Sequence, residues 1–135
     1  MIVGVGISKI DAEKSAPIQG KVDIKNSTAI KTIEKQELTL GAAKQEALKF
    51  IFQFNTVYEP KIAHILLEGE VLFVDSKEKI EDVLKKWKKD KKVDPDVISP
   101  VLNSVLARTN VEALIIAREL NLPPPIPLPK VEMKG

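Results

Sequence analysis

Two apolar runs facing each other across a four-residue turn constrain this chain more than any other feature. Residues 48–57 and 63–74 flank Tyr58-Glu59-Pro60-Lys61, and both alternate with the period of two that strand geometry imposes. In the first run Leu48, Phe50, Phe52 and Phe54 point one way, while Ile51 and Val57 share the other side with Lys49, Gln53 and Asn55. In the second, Ala63, Ile65, Leu67, Val71 and Phe73 share a face, opposite Ile62, Leu66 and Leu72, which stand among His64, Glu68 and Glu70. A small antiparallel sheet with one wet face alternates more strictly than this. The pattern predicts a hairpin that keeps apolar surface on its second face, to be covered by another subunit or by a bound apolar partner.

The flanks extend the strand pattern toward the N-terminus. Residues 2–10 are β-rich, Ala16-Pro17-Ile18-Gln19-Gly20 reads as a turn, and residues 21–25 alternate as a short strand. Asn26-Ser27-Thr28 suggests a bend or bulge. Residues 29–40 mix β-branched side chains with helical spacing, and Thr32, Ile33 and Thr39 favour strand, closed by Gly41. Residues 42–47 suit a helix locally but are too few before the aromatic strand, so a loop or short turn is expected there.

Beyond the hairpin the periodicity changes. Asp75 and Glu78 form a capping-box-like start, and Ile80, Val83, Leu84 and Trp87 fall at i, i+3, i+4 and i+7, predicting a helix over 75–92. Its end is rich in lysine, which suits the negative end of the helix dipole. Asp94-Pro95 and Ser99-Pro100 each place a capping side chain before a proline, opening a second helix with Val101, Leu102, Val105 and Leu106 on its apolar side. Thr109 and Glu112 offer another capping box, so residues 111–120 form either a separate helix or a continuation after a kink. Prolines at 123, 124, 125, 127 and 129 forbid helix beyond Leu122 and predict an extended segment laid across the domain with Ile126 and Leu128 packed. Strands followed by helices argue an α+β fold: an antiparallel sheet in residues 1–74, helices over 75–122 on one of its faces, and a proline-rich extended tail over 123–135. At 135 residues this is one domain.

Composition narrows the chemistry. There is no cysteine and His64 is the lone histidine, so disulfides, thiol nucleophiles and His/Cys metal clusters are excluded and no metal or other cofactor is expected. His64 lies between Ile62 and Leu66 on its strand face and has no partner for a catalytic dyad, so a structural or interface role is the stronger reading. Glu68 and Glu70 share a face and read as a wet sheet surface rather than an acid-base pair. With no phosphate loop or nucleophile elbow, a catalytic function is not expected.

A net charge of +2 gives no general argument for nucleic acid. The lysines around Lys88, Lys89, Lys91 and Lys92 could contact phosphates, yet Glu78, Glu81 and Asp82 balance them and a solvated helix face is favoured. No apolar run approaches the roughly 20 residues of a membrane span, and the chain starts without a basic leader, so cytoplasm is the expected location. Lysine in place of arginine, abundant Glu and Ile, and absent Cys lean toward a thermophile.

The arrangement of the runs 48–57 and 63–74, the helical region 100–120 and the following Leu120-Asn121-Leu122-Pro123 resembles the SecB export-chaperone superfamily, in a compact archaeal form covering roughly residues 5–130. The resemblance implies a four-stranded antiparallel sheet with helices on one face. It also implies a homo-oligomer, dimer or tetramer, that holds unfolded polypeptides in apolar grooves without catalysis. The lysine-rich helix at 75–92 departs from the bacterial pattern, and only Glu68 and Glu70 lie where those proteins dock a translocase. On this reading Ile51, Ile62, Leu66, Leu72, Phe50, Phe52 and Trp87 are the candidates for an oligomer interface or polypeptide groove. The face bearing Phe50, Phe52 and Phe54 reads as core beneath the helices, and Ile51, Ile62, Leu66 and Leu72 carry the functional question.

Overall fold

The computed structural model describes residues 1–126. Four strands, β1 (Ile2–Lys14), β2 (Asp23–Leu40), β3 (Ala43–Glu59) and β4 (Ala63–Val74), are followed by two helices, α1 (Lys77–Asp90) and α2 (Pro95–Glu119). The strands form one antiparallel sheet in the order β1-β4-β3-β2. The expected hairpin is its centre: Tyr58 pairs with Ala63 and Leu48 with Phe73. The turn expected at Tyr58-Glu59-Pro60-Lys61 is shifted: Tyr58 and Glu59 end β3, and Pro60, Lys61 and Ile62 reverse the chain, with Lys61 at φ 47°.

Two local expectations are corrected. Residues 43–47 are strand rather than loop, because Lys44, Gln45, Glu46 and Ala47 pair with Thr39, Leu38, Glu37 and Gln36 of β2, and the ladder outweighs their helix propensity. Residues 26–28 run straight within β2, and the irregularity falls later, between Ile30 and Thr32. Gly41 does turn the chain, in the left-handed region at φ 66°.

Both helices lie on one face of the sheet, α2 over β1 and β4 and α1 over β2 and β3. The buried face is the one bearing Leu48, Phe50, Phe52, Phe54 and Tyr58 of β3 with Ile65, Leu67, Val71 and Phe73 of β4. At one end these residues meet Ile80 and Val83 of α1 and Val97, Val101 and Val105 of α2. At the other end Phe54, Tyr58, Ile65 and Leu67 meet Ala113, Ala117 and Leu122.

Helix α1 is capped by Ser76 rather than Asp75. The Ser76 hydroxyl accepts from the Lys79 N–H at 3.2 Å, while the Asp75 carboxylate accepts from the Ser76 N–H at 2.6 Å. Helix α2 starts at Pro95 and continues through Pro100 to Glu119 as 25 residues, so neither Ser99-Pro100 nor Thr109 starts a new helix. Thr109 is fully buried, and its hydroxyl donates to the Val105 carbonyl at 2.8 Å, which removes it as a cap. Residues 127–135, including Pro127, Leu128 and Pro129 of the proline-rich tail, lie outside the described residues.

Candidate functional site

The open face of the sheet carries Ile51 and Val57 of β3 and Leu66 and Leu72 of β4, all half-buried. Register decides what they make. Ile51 stands opposite Glu70, Leu72 opposite Lys49, Leu66 opposite Asn55, and Val57 opposite His64. Each of the four apolar residues therefore faces a polar one across the ladder, leaving the diagonal pairs Ile51/Leu72 and Val57/Leu66. Between these pairs Gln53 Nε2 donates to Glu68 Oε1 at 3.0 Å. Lys49 Nζ is 3.7 Å from Glu34 and 3.5 Å from Glu70, and His64 Nε2 is 3.2 Å from Asp11. This face is a chequerboard held by polar contacts, not one apolar patch.

The remaining sequence candidates lie elsewhere. Phe50 and Phe52 are fully buried within the helix-covered face and present no accessible surface. Ile62 belongs to the turn and not to the open face: it is 3% exposed, packs with Tyr58 and Leu122, and its carbonyl accepts from the Ser15 N–H at 2.7 Å. Trp87 packs its ring against the core, and Lys91 Nζ lies 5.1 Å from the ring centroid. Lys88, Lys89, Lys91 and Lys92 are exposed at the end of α1. Of the neighbouring cations, Lys86 is engaged by Asp94 at 2.8 Å and Asp82 at 3.2 Å.

Asp94 and Asp96 latch α1 to the start of α2. Lys79 Nζ donates to Asp96 at 2.9 Å, which lifts the lysine above its ordinary pKa and holds the Asp96 carboxyl below its own. Lys86 is raised in the same way by Asp94 and Asp82. Asp94, at the N-cap of α2, spends its carboxylate on lysines and makes no side-chain cap bond.

The larger exposed apolar surface is on the helix side, along α2 and β1. The buried residues of α2, Val97, Val101, Val105, Thr109, Ala113 and Ala117, repeat every four positions. A helix turns about 100° per residue, so a strict four-residue ridge winds round the axis and fits a helix crossing the sheet obliquely. Other apolar side chains are left off the ridge: Leu106, Val111 and Ile115 are 38%, 54% and 41% exposed. Val111 and Ile115, one turn apart, share a side of α2, whereas Leu106 lies on another; β1 exposes Val3 and Ile10. Between helix and strand lie a cleft of about 440 Å³ lined by Val5, Ala107, Arg108 and Val111, and one of about 340 Å³ lined by Ile7, Ile10, Arg108 and Glu112. Strand β1 hydrogen-bonds only to β4, so among the described residues its outer backbone edge is unpaired.

Sequence reading missed this surface because 3.6-residue periodicity was credited to the core as a whole. Subtracting the four-residue ridge from the larger apolar positions of α2 leaves Ile98, Leu102, Leu106, Val111, Leu114, Ile115 and Ile116, of which Leu106, Val111 and Ile115 are the exposed ones. Among the described residues no group of three His, Cys, Asp or Glu side chains could hold a metal ion, and no helix is long and apolar enough to cross a membrane.

An antiparallel sheet of this order, with two C-terminal helices on one face, is a SecB-like α+β fold. Among solved structures the chain is similar to the Mycobacterium tuberculosis Rv1957 SecB-like chaperone in complex with a ChAD peptide from the Rv1956 HigA1 antitoxin, with a TM-score of 0.50 and 13% identity over 100% of this chain and 92% of that one. At that identity the likeness is one of fold. No protein-family model matches the sequence, and no curated protein does.

Proposed function

We propose that this chain is a non-catalytic, chaperone-like polypeptide-binding protein that works as a homo-oligomer through the apolar surface along α2 and the edge of β1. The observation that carries the reading is the pair Val111 and Ile115, exposed one turn apart on a helix whose opposite side is in the core, with Val111 sharing a cleft with Val5 of a strand that has an unpaired edge. Patches of this kind on a small protein mark interaction sites. An unpaired edge accepts an added strand, from a second copy or from an extended client. A protein of similar fold holds a peptide, which supports polypeptide as the ligand class. On this reading residues 1–135 act as one SecB-like unit, located in the cytoplasm, and the lysine-rich composition suits a thermophilic host.

The site residues on this reading are Val111 and Ile115 with Ile10, and the diagonal pairs of the open face, Ile51/Leu72 and Val57/Leu66, have a secondary part. Two measurements separate assembly from client binding. Solution mass from light scattering gives the oligomer, and Val111→Lys with Ile115→Lys lowers it if α2 lies at the subunit contact. Aggregation of a chemically denatured client at stoichiometric ratio reports binding, with suppression by the wild-type chain and loss of suppression in the double variant expected. Absence of suppression at several-fold excess sinks the chaperone reading.

A further inference from the structure

After α2 the chain returns along the end of the sheet, and its contacts there have one polarity. Tyr58 Oη donates to the Pro123 carbonyl at 2.7 Å, and Asn26 Nδ2 donates to the Pro125 carbonyl at 2.8 Å. The Asn26 amide is itself oriented, because the buried Thr56 hydroxyl donates to its Oδ1 at 2.6 Å and turns the NH₂ toward the proline. Tyr58 and Thr56 lie on the buried face of β3, and Asn26 is the register partner of Thr56 on β2. The donors are thus fixed by the sheet and not by the segment they hold.

The segment matches them in chemistry. Consecutive prolines have no N–H to offer, only carbonyls, and extended chain rich in proline repeats every three residues. Leu122 and Pro125, three apart, are the buried residues of the stretch 122–126, while Pro124 is exposed. The segment also forms one wall of a cleft of about 420 Å³ whose other lining residues are Leu114, Ile115, Ala117 and Arg118. A donor-only cradle beside an apolar slot reads an acceptor-only, apolar strand.

We propose that the cradle formed by Asn26, Thr56 and Tyr58 beside the Leu122 slot is a binding site for extended leucine- and proline-rich peptides, which the chain's own residues 122–126 occupy in cis as a competitor. A peptide bound in trans displaces that segment and gains the adjoining cleft. The phenol stays a donor across the physiological range, since burial pushes the Tyr58 pKa up to about 12. The site adjoins the α2 surface but does not depend on the chaperone reading, and a short defined peptide tests it where a denatured client does not.

The probe is a fluorescently labelled peptide with the sequence of residues 120–126, titrated into the full-length chain and followed by anisotropy. Leu122→Ala loosens the internal competitor and leaves every cradle residue in place, so it binds the probe about tenfold more tightly than the wild type. Adding Tyr58→Phe removes one donor and takes back most of that gain, a net neutral hydrogen bond being worth a factor of about five to ten. A probe with alanine at each proline gains nothing from Leu122→Ala. Should Leu122→Ala lose its circular-dichroism signature, Pro125→Gly, which frees the segment without shortening Leu122, gives the same reading. The proposal is overturned if neither loosened variant binds the probe better than the wild type, or if Tyr58→Phe leaves the gain intact.

Discussion

Gly69 sits on the buried face of β4, paired with Phe52 on one side and Ile7 on the other. A Cβ built there collides with the Gly6 carbonyl of β1 and comes within 2.7 Å of Phe52 Cζ. The two obstacles differ: the ring ends a side chain that can rotate, but the carbonyl is backbone. Gly69→Ala therefore forces β1 away from β4. Overpacking a filled core costs about 1–3 kcal/mol. Loss of two ladder hydrogen bonds beside the bulge between Ile7 and Lys9 adds about 1 kcal/mol each. The sum is about 3–5 kcal/mol, a large part of the 5–15 kcal/mol typical of a domain. With a urea m-value of about 2 kcal/mol/M the midpoint falls by about 2 M. The assay is urea unfolding followed by fluorescence of Trp87, the lone tryptophan, at one fixed protein concentration. Phe52→Leu separates the obstacles: if the carbonyl is the block, Gly69→Ala costs nearly as much in that background. A Gly69→Ala chain within about 0.5 kcal/mol of wild type refutes the argument, since that is the ordinary spread of neutral substitutions. A penalty that vanishes with Phe52→Leu shifts the cause to the ring.

Four further outcomes are expected. Because Asp96 titrates below its ordinary range in the folded protein, the stability it contributes is present above the unfolded carboxylate pKa and lost as pH falls through the lowered one. Denaturation midpoints from pH 7 down to pH 2.5 should fall less steeply in Asp96→Asn than in wild type. Tyr58, the lone tyrosine, should ionise near pH 12 in an ultraviolet titration. Its raised pKa favours the folded state fully below the ordinary value near 10, and that contribution is lost as pH rises toward 12; a midpoint near 10 in folded protein would contradict the burial. Pro100 lies inside α2 and is exposed, so Pro100→Ala restores an N–H to the ladder and should raise stability by about 1–2 kcal/mol, read as a higher melting temperature. Replacing Lys88, Lys89, Lys91 and Lys92 by glutamine should leave retention on a nucleic-acid column unchanged at low salt, and a steep loss would restore phosphate binding as a reading of α1.

What could be read from the sequence was what depends on parity and local turns. The short turn between β3 and β4 sets their register, so the core membership of Phe50, Phe54, Ile65 and Val71 followed from odd and even positions alone. Ile62 escaped that rule because the residue sits in the turn, where alternation has not begun. Residues 43–47 were misread since their strand state is supplied by β2, a partner that local propensity cannot see. Of the two readings left open after Thr109, a separate helix or a continuation, the chain takes the continuation for a similar reason: Thr109 is buried and its hydroxyl bonds back within its own helix. The apolar surface of α2 was hidden because a four-residue ridge and a 3.6-residue stripe look alike over two turns and diverge over six.

The strand order β1-β4-β3-β2 also sets a sequence of events in time. As the chain leaves the ribosome, β2 and β3 can zip through a local turn and β4 can join them through the next, but β1, made first, has no partner until β4 has followed it out. Ile2 waits for Phe73. Closing that long loop is entropically the costliest step of the sheet. The N-terminal strand of this protein is thus a nascent chain with an unpaired apolar segment, the condition that chaperones meet in their clients.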